Sequence, residues 1–217
     1  MIKKRIQTLI ALGKSGQLGP IWQRARFHLF HFDRFFIMSL QHGEGASSRP
    51  PDPFDIRLAT PADMHTLETL TGDKDYQLLR TLQSGSICLI AERDGKVVGM
   101  TWAELTPVHF EHRNSFRFPL LPGNAWLFFV YISPRHRGRG LFDQLQKSMS
   151  RYLDERGVTK SYCLIYQANQ PSVKASLRFG FTIEQSVTHL RVLGINLHLI
   201  RKAQAKKWPW AVRVSLF

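Results

Sequence analysis

Cysteine is nearly absent from this sequence, and its scarcity limits the kinds of structure that the chain can adopt. Only two of the 217 residues are cysteines, Cys88 and Cys163, and both fall inside apparent strands. Neither has a second metal-ligating residue at the short spacing that a zinc site requires, so we interpret both as reduced thiols of the core. The sequence therefore predicts neither a disulfide framework nor a metal site, and it favours the reducing cytoplasm.

Long apolar runs are also missing. No run approaches the roughly 18 apolar residues of a transmembrane helix. Lys3, Lys4 and Arg5 precede an apolar stretch at 6–12, as in a secretion signal, but that stretch is short and interrupted, and no convincing small-residue cleavage site follows it. We therefore predict a cytoplasmic protein, for which peripheral attachment to a membrane surface stays open.

Acidic residues are the third shortage. The chain has 16 Asp and Glu against 30 Lys and Arg, a formal net charge of +14, and no acidic residue follows Glu184. Such a surface attracts anions, among them coenzyme phosphates, anionic lipid and acidic proteins. Hydrophobic residues make up 43% of the chain and aromatic residues 12%, which is enough for a substantial core and excludes a wholly disordered chain.

Residues 1–41 have the pattern of a helical extension rich in basic and aromatic residues. Apolar side chains recur there at helical spacing, and cations are interleaved with them. Three interpretations stay open: a helical pair packed on the main domain or on a second subunit, as in a homodimer; a segment lying on an anionic membrane surface; or nucleic-acid binding, which is the least favoured because no recognised module is present. The stripe comprises Trp22, Ala25, Leu29, Phe32 and Phe36.

The rest of the chain divides into a linker, one domain and a tail. Residues 42–53 are rich in Gly, Ser and Pro, as a linker is. Residues 54–202 follow the order β-α-α-β-β-loop-β-α-β-α-β-β, which predicts a mixed α/β domain, and Asp94-Gly95 predicts a tight hairpin turn. The loop at 107–123 is a natural place for substrate contacts. Residues 203–217 are interpreted as a tail packed on the surface.

One stretch combines a strand, a glycine turn and a helix. Residues 125–132 are an apolar run of β-formers, and Pro134 ends it because proline has no N–H for the ladder. A basic turn with Gly138 and Gly140 follows, and then apolar residues recur at four-residue steps, as on one face of a helix. Backbone N–H groups at such a helix N-terminus can hold a phosphate, and glycine lets the phosphate approach closely. The helical stripe is Leu141, Leu145, Met149 and Leu153.

Two motifs in this region resemble the GNAT acetyltransferase superfamily. The turn, Arg137-Gly138-Arg139-Gly140-Leu141-Phe142, is similar to the family's motif Gln/Arg-x-x-Gly-x-Gly/Ala, with Phe in place of the last Gly or Ala. About 30 residues later, a strand at 162–169 ends at Asn169, a short helix follows, and Gly180-Phe181 opens the next strand, as in the family. The resemblance covers residues 55–202.

The resemblance implies a fold, an activity and a set of coenzyme contacts. The fold is a twisted central sheet with helices on both faces, and the activity is direct transfer of an acyl group, acetyl by preference, from acetyl-CoA to a primary amine of a small molecule or amino sugar. Backbone N–H groups of Tyr131 and Ile132 are expected to face the thioester oxygen, with Asn169 and Ser172 beside the coenzyme. The pyrophosphate is expected on Arg137, Gly138, Arg139, Gly140, Leu141 and Phe142.

Proton transfer is less well specified by the sequence. The reacting amine needs a base, and Glu104 is the first candidate, followed by Glu111, His109 and His112. The alternative for Glu104 is that it is an ordinary exposed strand carboxylate with no catalytic role. At the position of the family's usual tyrosine donor stands Ser176, a poor acid. Tyr166, Tyr131 or a water can substitute, although a packing role for either tyrosine stays open.

Two further functions remain alternatives. One is long-chain N-acyl transfer from an acyl carrier protein, whose acidity would suit the basic surface. The other is a non-catalytic, CoA-binding sensor or membrane-associated adaptor, which the departures at Phe142 and Ser176 would permit.

Overall fold

The computed structural model describes residues 30–42, 54–72, 78–203 and 210–216. The interpretations placed on residues 1–29 and on all of the predicted linker at 42–53 except His42 lie outside these ranges. The strands are β1 (Phe30–Gln41), β2 (Asp55–Leu58), β3 (Ile87–Arg93), β4 (Lys96–Glu104), β5 (Val108–Glu111), β6 (Phe116–Pro119), β7 (Asn124–Ile132), β8 (Lys160–Tyr166), β9 (Thr182–Val192), β10 (Ile195–Lys202) and β11 (Trp210–Leu216). The α-helices are α1 (Met64–Thr71), α2 (Leu78–Gln83), α3 (Leu141–Asp154) and α4 (Gln170–Phe179).

Nine of these strands form one sheet. Its order is β11-β10-β9-β1-β8-β7-β4-β3-β2, and β7 and β8 are its one parallel pair among the described residues, all other neighbours being antiparallel. Leu89 packs in the same core cluster as α3, whereas its neighbour Ile90 packs with α1 and α2. Because successive strand residues point to opposite faces, helices cover both faces of the sheet. The predicted fold class is therefore confirmed.

Two local predictions from the sequence are confirmed. Asp94 and Gly95 both have left-handed backbones (φ +53° and +71°) and join β3 to β4, as a two-residue hairpin turn requires. The stripe of α3, from Leu141 to Leu153, is at most 1% exposed. The amphipathic pattern thus correctly predicted both helix α3 and the face that this helix buries.

The helical interpretation is wrong for the end of the N-terminal extension. Residues 30–41 form β1, which lies between β8 and β9 and pairs with both. Phe32 and Phe36 are four residues apart, a spacing shared by one face of a helix and one face of a strand. The segment contains four phenylalanines, a residue type that favours strands, and partner strands on both sides satisfy its backbone. Three of its apolar side chains are completely buried: Phe35, Ile37 and Met38.

The C-terminal residues were expected to be a tail packed on the surface, but part of this segment is also a strand of the sheet. Residues 210–216 form β11, which pairs along β10 from Ile195 to Arg201 and makes one edge of the sheet. The predicted loop at 107–123 also contains regular structure, the hairpin β5–β6. Phe116 and Phe118 of this hairpin pack against the sheet in a second core cluster with Trp126. Among the described residues, no helix is both long and apolar enough to cross a bilayer.

Candidate active site

A cleft opens where the two parallel strands separate. β7 and β8 pair only from Asn124 to Leu127 on one strand and from Lys160 to Cys163 on the other. Beyond that point β7 stays paired with β4 and β8 stays paired with β1, so each side of the cleft is held from outside. The resulting cavity has a volume of about 170 Å³. Its lining includes residues 127–130, Phe142, Gln146, residues 163–166, Asn169, Ser172 and Ser176.

A β-bulge distorts β7 at the cleft. Trp102 of β4 faces Phe128, and Met100 faces Tyr131, so two intervening residues of β7 oppose one of β4. Within the bulge Phe129 has a left-handed backbone (φ +46°). Bulges turn backbone groups away from the ladder and are common beside active sites. The bulged segment, residues 128–130, thus lines the cleft. The predicted oxyanion donors Tyr131 and Ile132 lie in the paired part of β7 and do not line the cavity.

The predicted phosphate turn stands directly before α3. Gly138 and Gly140 have left-handed backbones (φ +72° and +80°), and a Cβ at either position would meet no atom within 4 Å. Gly140 is the N-cap and the helix begins at Leu141. Arg137 donates from Nε to the carbonyl of Ile132 (3.0 Å), which ties the turn to the end of β7. This open N-terminus, with unpaired N–H groups and partial positive charge, can hold an anion.

The other wall of the cleft comes from α4 and its cap. Asn169 caps this helix by accepting from the backbone N–H of Ser172 (3.3 Å). Ser176, one turn further, is 3% exposed and lines the same cavity. Gln146 of α3 is 2% exposed, and its Oε1 has no hydrogen-bond partner among the described residues. Five of the predicted site residues therefore line one cleft, since Phe142 and Tyr166 line it as well, and Gln146 joins them although no motif indicated it.

Tyr166 lies where the cleft meets a second, wider recess. Its hydroxyl accepts from Nδ2 of Asn114 (3.0 Å), and the guanidinium carbon of Arg113 lies 5.0 Å from its ring centroid. Burial, with a smaller contribution from the charge of Glu111, raises the pKa of Tyr166 well above its usual range, so the phenol stays protonated. The recess has a volume of about 620 Å³ and is lined in part by Asp33, Arg34 and Arg113.

Glu104 does not stand alone at the end of its strand. Its carboxylate accepts from Nδ1 of His109 on the β5–β6 hairpin. The His109 ring stacks on Trp126, with centroids 4.3 Å apart, and lies 6.3 Å from the ring of Phe128, which lines the cleft. Because a carboxylate can only accept, Nδ1 carries a proton, and in the neutral imidazole Nε2 then has the lone pair. That Nε2 is buried without a hydrogen-bond partner in the described part of the chain.

Comparison with known proteins places the chain in a family. Residues 56–181 match the acetyltransferase (GNAT) family, and the chain belongs to it, as the two motifs predicted. Beta-lysine N(6)-acetyltransferase of Methanosarcina mazei is 26% identical over 148 residues, which cover 62% of this chain and 49% of that protein. The chain thus spans about half the length of this relative.

Solved structures share the fold. An acetyltransferase of the GNAT family from Colwellia psychrerythraea superposes with a TM-score of 0.55 at 16% identity, covering 75% of this chain and 57% of that one. A protein from Novosphingobium aromaticivorans that is assigned to the same family gives a TM-score of 0.55 at 19% identity, with coverage of 73% and 63%. At these identities the likeness defines the fold of the chain.

Proposed function

We propose that this chain is an N-acetyltransferase that moves the acetyl group of acetyl-CoA directly onto a primary amine of a small molecule. The observation that carries the proposal is the cleft between β7 and β8, with the glycine turn and the N-terminus of α3 beside it. Membership of the acetyltransferase family supports the same reaction.

The coenzyme would be held mainly by the backbone. The diphosphate fits the N-terminus of α3, where Gly138 and Gly140 leave room for close approach. The pantetheine arm would enter the cleft past Asn169 and Ser172, and the unpaired Oε1 of Gln146 can accept from one of its amide N–H groups. The cavity of about 170 Å³ is narrow, and it meets the wider recess at Tyr166, which lines both.

We assign the base to His109, with Glu104 as the residue that positions it. The carboxylate fixes the imidazole tautomer, and the stacking on Trp126 fixes its plane. The lone pair of Nε2 then takes a proton from the acceptor ammonium, directly or through one water. This changes the roles expected from the sequence, in which Glu104 itself was the first candidate.

The transfer step uses groups that line the cleft together with His109, whose ring lies 6.3 Å from that of Phe128. The amine lone pair attacks the thioester carbon, the C–N bond forms, the C–S bond breaks, and the bulge at Phe129 supports the oxygen as negative charge develops on it. The acceptor ammonium loses two protons in all. The first goes to Nε2 of His109 before the attack, and His109 later releases it to solvent. The second leaves the nitrogen once the C–N bond has formed and returns to Tyr166 the proton that Tyr166 gives to the departing thiolate, so the phenol is protonated again at the end of the step. Tyr166 is the better donor because Asn114 donates to its oxygen and leaves its own O–H available. Ser176, in the same cleft, is a weaker acid and would contribute a hydrogen bond.

The acceptor is proposed to enter through the recess beside Tyr166. Arg34 and Arg113 line this recess, so an amine that also carries a carboxylate would be attracted to it. The name of the Methanosarcina mazei relative describes acetylation of the side-chain amine of an amino acid, which supports the same substrate class.

Binding and turnover would test the proposal in two stages. Calorimetry with CoA, acetyl-CoA, a long-chain acyl-CoA and an acyl carrier protein should show the tightest binding for acetyl-CoA; no heat with any CoA species would overturn the assignment. Thiol release is then measured with a panel of amino acids, diamines and amino sugars. The replacement His109→Gln should lower kcat by about 100-fold or more near neutral pH and leave the Kd of acetyl-CoA unchanged.

Two features separate a lost base from a damaged structure. The rate of the His109→Gln variant should recover at high pH, where the amine is already deprotonated. His112→Gln, on the exposed part of the same hairpin, should retain the wild-type rate. A loss that persists at all pH values, or that His112→Gln shares, would contradict a base at His109.

A further inference from the structure

A second group of polar side chains lies on one face of β1, β9 and β10. The register aligns them in two rows across the sheet. His189, His198 and Asn196 are completely buried, and Arg191 is 1% exposed. Buried polar groups are costly unless they are paired or bind something. The rows are Asp33, His189 and His198, and His31, Arg191 and Asn196.

Hydrogen bonds determine the tautomer of His189. Arg191 can only donate, and its Nε lies 2.9 Å from the side-chain atom of Asn196 that must therefore be the oxygen. Nε2 of His189 lies 2.9 Å from the same oxygen, so Nε2 carries the proton. Nδ1 is left with a lone pair, and it is buried without a hydrogen-bond partner among the described residues. His189 thus offers an unused electron pair inside the protein.

Two further ligands stand beside it. Asp33 is the direct cross-strand neighbour of His189, and His31 lies two residues before Asp33, on the same face of β1. Nε2 of His31 and Oδ2 of Asp33 are 2.5 Å apart, and one ligand atom from each of His31, Asp33 and His189 lies within 4.8 Å of the others. Two imidazoles and one carboxylate are a common protein ligand set for zinc and related ions.

We propose that His31, Asp33 and His189 bind a divalent transition-metal ion, with Zn²⁺ as the preferred occupant. The side chains of His31 and Asp33 are 13% and 16% exposed, so the ion can enter from solvent and keep a water as a further ligand. The cysteine spacing gave no sign of this site because its ligands come from strands far apart in the sequence.

The surroundings support the site and also limit its affinity. His189 would bind the ion through Nδ1 and donates its Nε2–H to Asn196, as metal-bound histidines commonly donate their other ring nitrogen's proton to an outer carbonyl. Against this, the Nε of Arg113 lies 3.4 Å from Oδ2 of Asp33, and Arg191 adds a buried positive charge. A dication would have to displace Arg113, whose side chain is 55% exposed and can turn outward. Because Arg113 also lies over Tyr166, an ion here would alter the recess beside the cleft.

Metal titration of the tag-free full chain would test the site, after treatment with a chelator and dialysis. Zn²⁺ binding is measured by calorimetry, and Co²⁺ binding by the visible absorption that distinguishes four-coordinate from hydrated cobalt. We expect one saturable site per chain and a higher melting temperature with Zn²⁺. His31→Gln and Asp33→Asn, both at partly exposed positions, should each weaken binding by about 100-fold or more.

His65→Gln provides the matched control, because His65 is exposed on α1 and outside the group. This variant should bind Zn²⁺ as the wild type does. His189→Gln should also lose the site, with circular dichroism used to confirm that the variant is folded. The absence of a saturable one-to-one site, or undiminished binding by both His31→Gln and Asp33→Asn, would overturn the proposal.

Discussion

Replacing Phe35 by alanine tests the placement of β1 in the middle of the sheet. Phe35 is completely buried, and its ring meets those of Phe116 and Tyr166 edge to face, at centroid distances of 5.4 and 6.2 Å. Truncating a fully buried phenylalanine typically costs about 3–5 kcal/mol, since both the transfer free energy and the contacts around the cavity are lost. Edge-to-face ring pairs are worth about 0.5–1.5 kcal/mol beyond their buried area, so the upper half of that range is expected.

Phe32 on the same strand provides a matched control. Its side chain is 48% exposed, so Phe32→Ala should lower the free energy of unfolding by less than about 1 kcal/mol. Urea unfolding followed by tryptophan fluorescence should therefore shift the midpoint of Phe35→Ala by more than about 1 M and leave that of Phe32→Ala nearly unchanged. Equal, small shifts for both variants would refute the placement of β1.

A truncated chain gives a second test of the same point. If residues 1–41 were an appended helical segment, their removal would leave the domain intact. In the structure their removal takes away the strand between β8 and β9 and leaves both with unpaired edges. We expect the truncated chain to aggregate or to unfold at much lower urea concentration than the full chain; an unchanged midpoint would contradict the structure.

Three further predictions concern the cleft and the start of α1. Gly140→Ala should raise the KM for acetyl-CoA about tenfold, because it places a methyl group at the phosphate turn. Gly85→Ala provides the control: Gly85 has a similarly left-handed backbone (φ +91°) but lies outside the cleft, so its replacement should leave the KM unchanged. An equal rise in KM for both variants would point to backbone strain alone. Ser176→Ala should reduce kcat by less than about tenfold, because positioning supplies most of the rate, and a thousandfold loss would show a larger role. Hydrogen bonds from Arg57 and Thr60 hold the pKa of Asp63 well below its usual range, so this carboxylate stabilises the fold above about pH 5 and loses its contribution as the pH falls below about 4. Asp63→Asn should therefore cost about 1–2 kcal/mol at pH 7 and clearly less at about pH 2 in urea unfolding, because the loss is complete only as the pH falls through the low native pKa. An equal cost at both pH values would contradict this linkage.

The features predicted correctly from the sequence are local ones. The Asp94-Gly95 turn depends on two adjacent backbone conformations, and the stripe of α3 repeats within a single helix. The strand, glycine turn and helix at 125–153 are contiguous, and together with the second motif around Asn169 they indicated the family to which the chain belongs. Phosphate binding at the turn stays a prediction. Short-range patterns of this kind remain visible without knowledge of the partners.

Other features depended on contacts between distant parts of the chain. The spacing of the aromatic residues in 30–41 is compatible with either a helix or a strand. The segment is a strand because β8 and β9 pair with its backbone on both sides. The separation of β7 from β8, the bulge at Phe129 and the meeting of Glu104 with His109 all follow from pairing across the sheet. His31, Asp33 and His189 come together for the same reason: strand register, which is set by long-range packing, places side chains from both ends of the chain on one face.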